Sequence, residues 1–133
     1  MRFNSLFKLT SLLGLVGYVN CGGYRMSFYG LNNNRPSSSA IPACGLDCDY
    51  TTDYYVALNA EEYYESQVRK DNANTATVCD KCVKITYEDK WVVGKIVDKC
   101  PGCPNHGLDV SPTIFDVFAS RKVGILYMDW EYT

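Results

Sequence analysis

The stretch VDKCPGCPNHGLDVSP, residues 97–112, combines two aspartates, two cysteines and the start of a helix. Ser111 is a good N-cap, and Pro112 suits the first helical position because its missing N–H needs no partner there. Asp109 stands just before this helix and beside a glycine-containing loop, so its carboxylate can be held toward solvent. Alternatively, Asp109 only stabilises the positive end of the helix dipole. The stretch therefore predicts a carboxylate at Asp109 that is either functional or helix-stabilising.

Cysteine spacing around this stretch first suggests a metal site. Cys79, Cys82, Cys100 and Cys103 form two C-x-x-C pairs, the spacing at which a zinc ribbon surrounds one tetrahedral metal. The N-terminus argues against zinc, because residues 1–22 have the basic start and apolar run of a secretory signal peptide. Cysteines of a secreted chain meet oxidising conditions and form disulfides. We therefore expect no metal.

The expected mature segment, residues 23–133, contains six cysteines, an even set that can close three disulfides. Six cysteines allow fifteen connectivities, and the sequence alone does not choose among them. The six are Cys44, Cys48, Cys79, Cys82, Cys100 and Cys103.

Length and charge limit what residues 23–133 can do. About 110 residues form one domain with a single core. Removal of Arg2 and Lys8 lowers the 13 basic residues to 11, against 15 acidic ones, for a formal net charge of −4. This balance, without a basic stripe, argues against a nucleic-acid partner. The apolar run of the signal peptide is about half of the roughly 20 residues that cross a bilayer, so we expect no membrane anchor.

Hydrophobic patterning predicts a β-rich sandwich or barrel with two short helices. Strands are predicted at 25–29, 54–59, 83–87, 91–97 and 124–132, the third and fourth as a hairpin. Asn59 caps a helix from Ala60 to about Tyr64, with Glu62 as its capping-box partner. Ser111 begins the second helix, which ends near Ser120. The eleven tyrosines fill strands and core or form a platform on which sugar rings stack.

The motifs resemble those of the six-stranded double-psi β-barrel. The run VDKCPGCPNHGLDVSPTIFDVFA, with SFYG and ACG upstream and ILYMDWEY at the end, is similar to the pattern of expansins, rare lipoprotein A-like proteins, barwin-like proteins, small fungal loosenins and family 45 glycoside hydrolases. The resemblance covers nearly all of residues 23–133, and its most specific part pairs VDKCPGC with GLDVSP. It implies a mainly β, disulfide-stapled barrel with one or two short helices, in a secreted, single-domain, expansin-like protein.

The resemblance assigns roles to the two aspartates. Asp109 matches the acidic residue on which expansin activity depends and which is the general acid of the related hydrolases. Asp98 matches the other aspartate of the same groove, although it could equally be a structural turn residue. The hydrolases carry their base near the first strand, where residues 27–30 offer no acid. The hydrolytic base is therefore missing at this position.

Three further residues are candidate contacts of the groove. The resemblance implies that Tyr29 stacks on sugar rings and that Ser27 contributes a polar contact. His106 precedes Asp109 and is either a polar groove contact or a solvated loop residue. Some members carry an aromatic residue two positions after their equivalent of Asp98, and Cys100 replaces it here.

The disulfide pairing is also implied by the resemblance. It joins Cys44 to Cys79 and Cys100 to Cys103, which leaves Cys48 for Cys82. Exchange of partners between the Cys44, Cys48 pair and the Cys79, Cys82 pair remains an alternative.

The resemblance implies binding of cell-wall polysaccharide, whether cellulose, chitin or peptidoglycan, in an open groove, and loosening without hydrolysis. We expect an extracellular monomer without a cofactor. One alternative is a secreted protease inhibitor or effector that acts through surface loops. Another is a lytic transglycosylase or glycoside hydrolase in which Asp109 is catalytic.

Overall fold

Six strands close into one barrel in the computed structural model, which describes residues 23–30, 41–45 and 53–133. The strands are β1 (Tyr24–Phe28), β2 (Tyr55–Asn59), β3 (Cys82–Tyr87), β4 (Lys90–Cys100), β5 (Leu108–Val110) and β6 (Leu126–Tyr132). Their order around the barrel is β1-β5-β2-β4-β3-β6. The expected mainly β barrel is confirmed. The expected signal peptide, residues 1–22, lies outside the described residues.

Two of the strand pairings are parallel and the other four are antiparallel. β1 runs parallel to β5, and β2 runs parallel to β4. Each parallel pair is formed by strands far apart in sequence, because parallel neighbours need a long crossover connection. These crossovers bring residues from the beginning, middle and end of the described chain onto one face of the barrel.

The barrel interior is filled by alternate residues of the strands. In β6, Leu126, Met128 and Trp130 are buried, whereas the residues between them are exposed. This period of two is that of a strand with one face on the core. Neither helix of the described residues is long and apolar enough to span a membrane.

Two α-helices of the described residues pack against the barrel. Helix α1 (Ala60–Glu65) begins at Asn59, whose side chain accepts from the Glu62 N–H. The Glu62 carboxylate contacts the Asn59 side-chain amide rather than completing a capping box, because the Asn59 N–H donates to the carbonyl of Gly107. Three short 3₁₀ segments accompany the helices, at Ala73–Thr75, Thr77–Asp80 and Arg121–Val123.

Helix α2 (Pro112–Phe118) begins at the predicted N-cap, with the Ser111 hydroxyl accepting from the Ile114 N–H at 3.2 Å. The helix lies over Gly94, where a side chain would collide with Val56 and Ile114. The predicted hairpin of β3 and β4 is present, and β4 continues to Cys100. Strand β5 is the element that patterning did not predict, because three residues are too few to show a period.

Candidate functional site

One transverse row of residues crosses four neighbouring strands and contains both candidate aspartates. Ser27 of β1 is aligned with Asp109 of β5, which is aligned with Ala57 of β2, and Ala57 is aligned with Asp98 of β4. We call these four residues the carboxylate row. Two strand spacings place the Cα atoms of Asp98 and Asp109 about 10 Å apart. Ala57, between the two aspartates, carries only a methyl group and is 2% exposed, so it offers almost no surface to a ligand.

The row lies on the outer surface of the barrel. Met26 and Leu108, the neighbours of Ser27 and Asp109 along their strands, are fully buried and point to the core. Because successive side chains of a strand point to opposite faces, Ser27 and Asp109 point outward. Asp109 therefore lies on a strand, between the glycine-containing loop and the helix that the sequence indicated on either side of it.

Asp109 is a half-buried carboxylate with one internal hydrogen bond. Its Oδ1 accepts from the Ser27 hydroxyl at 3.0 Å, and no described residue donates to Oδ2. Burial raises the pKa of Asp109, the Ser27 hydrogen bond and the positive charge of Arg25 oppose this, and the negative charge of Asp98 adds to the rise. Asp109 thus retains its proton more readily than an ordinary aspartate and keeps one oxygen available to a ligand.

Asp98 is held by three donors. Its Oδ1 accepts from the backbone N–H of Ala43 at 2.8 Å and from that of Lys99 at 2.9 Å. Its Oδ2 accepts from the Tyr29 hydroxyl at 3.3 Å. A carboxylate offers about four lone-pair sites, so most of its capacity is used inside the protein. Asp98 is an oriented acceptor and also ties residues 41–45 to β4.

Tyr29 bridges the row from its β1 end toward Asp98. The burial of the phenol, followed by the negative charge of Asp98, raises the pKa of Tyr29 far above its usual value, so the phenol is a neutral donor. Its carbonyl accepts from the Tyr55 hydroxyl at 3.1 Å, and the two rings meet edge to face with centroids 5.4 Å apart. Tyr29 is therefore fixed in place before any ligand arrives.

His106 is placed outside the carboxylate row. Its Nδ1 lies 2.7 Å from a carboxylate oxygen of Glu62, and its ring stacks on Trp130 with centroids 4.2 Å apart. Tyr24 packs edge to face against the other side of the same ring. These contacts join α1, β1 and β6 to the loop before β5, and the sequence did not indicate that Glu62 and Trp130 would meet His106.

The cysteines near the row staple its supporting segments. Cys44 is joined to Cys79, and Cys100 is joined to Cys103, as the resemblance implied. Cys82 forms no disulfide with another described residue, and its implied partner Cys48 lies outside the described residues. Because Cys79 and Cys100 belong to two different disulfides, the zinc-ribbon spacing does not correspond to a shared site. No cluster of three or more potential metal ligands occurs within residues 23–30, 41–45 and 53–133.

Comparison with known proteins places this barrel among several solved structures. The Streptomyces papain inhibitor superposes with a TM-score of 0.66 and 22% identity, covering 84% of this chain and 92% of the inhibitor. A mutant of an expansin from Clavibacter michiganensis, solved in complex with cellohexaose, superposes with a TM-score of 0.63 and 21% identity. The match covers 84% of this chain and 50% of the expansin. Cerato-platanin 2 from M. perniciosa superposes with a TM-score of 0.56 and 16% identity, and the match covers 84% of this chain and 94% of the cerato-platanin.

A sequence relative is the allergen Asp f 7 of Aspergillus fumigatus, 33% identical over 97 residues. The match covers 72% of this chain but only 32% of the allergen, so the chain spans about a third of that relative. No family model matches the chain. The structural likenesses show the fold: the chain is a six-stranded double-psi β-barrel.

Proposed function

We propose that the protein binds a cell-wall polysaccharide across the carboxylate row and loosens contacts between chains without hydrolysis. The carrying observation is the pair of aligned, outward-facing carboxylates, Asp98 and Asp109, separated by the small side chain of Ala57. Carboxylate oxygens accept hydrogen bonds from sugar hydroxyls. The expansin of the same fold that was solved with cellohexaose supports a glycan ligand.

Loosening without cleavage follows from the different states of the two aspartates. An inverting glycosidase needs an acid and a base about 6.5–9.5 Å apart, with a water activated by the base. Asp109 suits the acid because burial raises its pKa. Asp98 does not suit the base, since the N–H groups of Ala43 and Lys99 and the Tyr29 hydroxyl already occupy its oxygens. The row can therefore bind and polarise hydroxyls but lacks a carboxylate free to activate water.

Binding in this manner exchanges contacts between neighbouring glycan chains for contacts with the protein. In its ionised form Asp109 accepts a hydrogen bond from a sugar hydroxyl at Oδ2, whereas the protonated form donates one to an acceptor oxygen. Hydrogen bonds to charged groups contribute about 1.5–3 kcal/mol each, against about 0.5–1.5 kcal/mol for a neutral hydrogen bond such as those between glycan chains. The function requires an extracellular protein, which agrees with the two disulfides and with the expected signal peptide at residues 1–22.

A binding assay with a matched control tests the proposal. Wild type, Asp109→Asn and Asp71→Asn are incubated with cellulose, chitin and peptidoglycan, and the bound fraction is measured over a concentration series. Asp71 is an exposed carboxylate whose ion pair with Arg69 is itself exposed, so its substitution removes the same charge elsewhere. We expect Asp109→Asn to weaken binding about tenfold, as loss of about 1.4 kcal/mol implies, and Asp71→Asn to bind as wild type does. No binding of wild type to any of the three polymers would refute the proposal.

The enzymatic alternative is a lytic cleavage in which Asp109 is the acid and the substrate supplies the nucleophile. It predicts that wild type releases reducing sugars or anhydro-muropeptides and that Asp109→Asn does not. Release under these conditions would replace the non-hydrolytic proposal.

A second candidate function is protease inhibition, favoured by the match to the papain inhibitor over 92% of that protein. This function would use surface loops instead of the carboxylate row. Titration of papain with wild type and Asp109→Asn distinguishes the two, because equal inhibition by both, without glycan binding, favours the inhibitor.

A further inference from the structure

The outer face of β3, β4 and β6 carries a second arrangement of aromatic and charged side chains. Thr86 of β3 is aligned with Trp91 of β4 on one side and with Asp129 of β6 on the other. Two residues earlier in β3, Lys84 is aligned with Glu131 of β6. All five side chains lie outside the barrel, and Trp91 is 60% exposed. We call these five residues the tryptophan face.

An open cavity of about 280 Å³ lies in this face, lined by Lys84, Thr86, Asp129, Trp130 and Glu131. Trp91 stands at its edge, because it is the direct cross-strand neighbour of Thr86 and directly opposite side chains lie about 5 Å apart. The cavity thus has an aromatic surface beside it and polar groups around it.

The charged groups of the cavity are not paired with each other. Lys84 is directly opposite Glu131, yet its ammonium lies 5.0 Å from the centre of the Trp91 ring. No ion pair or hydrogen bond joins Lys84, Asp129 or Glu131 to another side chain within the described part of the chain. Among the described residues the two carboxylates therefore have no side-chain partner, and the Lys84 ammonium, although it lies over the indole, keeps N–H donors for a ligand.

The chemistry of these groups selects a neutral, hydroxyl-rich ring. Carboxylates accept from hydroxyl groups, the ammonium and the Thr86 hydroxyl donate to oxygens, and an indole stacks on the apolar face of a sugar. A phosphate would meet two negative charges, Asp129 and Glu131, against one positive charge. An apolar protein partner would bury all three charges without compensation.

We propose that the tryptophan face is a second carbohydrate-binding site, an inference that rests on the proposed function for the class of ligand. Trp91 and Asp98 are seven positions apart on β4, which places them about 23 Å apart. One sugar ring does not span this distance, so the two sites bind separate chains or distant parts of one chain. Two linked sites hold a polymer more strongly than either site alone, because binding at the second becomes intramolecular.

Tryptophan fluorescence gives a readout specific to this face. The chain has two tryptophans, and Trp130 is only 8% exposed, so acrylamide quenches mainly Trp91. We expect cellohexaose or the hexamer of N-acetylglucosamine to protect Trp91 from acrylamide. The protection should persist in Asp109→Asn, whose substitution lies in the carboxylate row. It should require at least about fivefold more sugar in Glu131→Gln, which loses a charge-assisted hydrogen bond at an exposed position.

The outcomes separate this inference from the proposed function. Sugar binding that is abolished by Asp109→Asn and never protects Trp91 overturns the second site while the carboxylate row stands. Absence of both Trp91 protection and polymer binding in wild type overturns both proposals. Protection that increases with protein concentration in the absence of sugar identifies a second copy of the chain as the occupant and overturns the carbohydrate site.

Discussion

The two disulfides should differ strongly in what they contribute to stability. Cys44–Cys79 has a sequence separation of 35, whereas Cys100–Cys103 has a separation of 3. A cross-link stabilises mainly by restricting the unfolded chain, and the restriction grows with the loop that it closes. The loop-entropy relation gives about 4 kcal/mol for the long loop and about 2 kcal/mol for the short one.

The perturbation is the paired substitution of each disulfide by alanine. Each pair is substituted separately in a background that carries Cys48→Ala and Cys82→Ala. In this background a Cys48–Cys82 bridge, which would close nearly the same loop as Cys44–Cys79, cannot compensate for the lost cross-link. Urea unfolding followed by circular dichroism then gives the free energy of unfolding of each variant. With a denaturant slope of about 1–3 kcal/mol per M, the loss of Cys44–Cys79 shifts the midpoint by about 1–4 M.

Burial of the sulfur atoms requires a control. Cys44 is 4% exposed and Cys79 is 7% exposed, and both sulfurs contact the hydroxyl of Tyr63, so alanine also removes packing. Reduction of a variant that retains only Cys44–Cys79 breaks the cross-link and keeps the sulfur atoms. If reduction lowers the free energy of unfolding about as much as the alanine pair does, the stabilisation comes from restriction of the unfolded chain and not from packing of the sulfur atoms. If removal of Cys100–Cys103 lowers the free energy of unfolding as much as removal of Cys44–Cys79, the stabilisation does not depend on the length of the closed loop and the prediction is wrong.

Two further predictions concern the carboxylate row and the helix that packs beside the barrel. Because burial raises the pKa of Asp109, the folded state binds its proton more tightly than the unfolded state, and stability falls as pH rises from the unfolded pKa through the folded pKa. Asn at position 109 does not titrate, so Asp109→Asn should be more stable than wild type at pH 7 and equal to it below about pH 3.9. Thermal unfolding at the two pH values measures this. A wild type that is more stable than Asp109→Asn at pH 7 would contradict the argument that burial destabilises the carboxylate. Gly94→Ala should lower the free energy of unfolding by about 1–3 kcal/mol, because the new Cβ would lie 2.6 Å from Val56 Cγ2 and 2.7 Å from Ile114 Cδ1. Urea unfolding measures this change. An unchanged midpoint would show that the helix moves aside without cost.

Local patterns predicted the elements whose signals lie within a few neighbouring residues. The hairpin of β3 and β4 follows from alternation around a turn, and α2 follows from Ser111 and Pro112 at its start. Strand β5 has no such signal, since its three residues pair only with distant strands. For this reason the sequence places Asp109 between a glycine-containing loop and a helix, and the structure adds that it is the middle residue of a strand.

Within the candidate site, the two aspartates also show which properties depend on contacts that are distant in sequence. Resemblance selects both, Asp109 as the acid on which activity depends and Asp98 as the other aspartate of the same groove. Contacts with residues far along the chain distinguish them: the Ala43 N–H and the Tyr29 hydroxyl donate to Asp98, whereas the Ser27 hydroxyl is the one described side chain that donates to Asp109. His106 likewise contacts Glu62 and Trp130, which are distant in the chain, so no local pattern predicts these contacts.

A mainly β chain with two capped helices can be predicted from neighbouring residues, because hydrophobic alternation and capping are local. Resemblance of the motifs adds the two aspartates and a pairing of the cysteines. The alignment of Ser27, Asp109, Ala57 and Asp98 in one row, and the position of Trp91 on a separate face, are known from the folded barrel. Barrel closure through parallel pairing aligns strands that are distant in the chain, and no short stretch of sequence encodes their register.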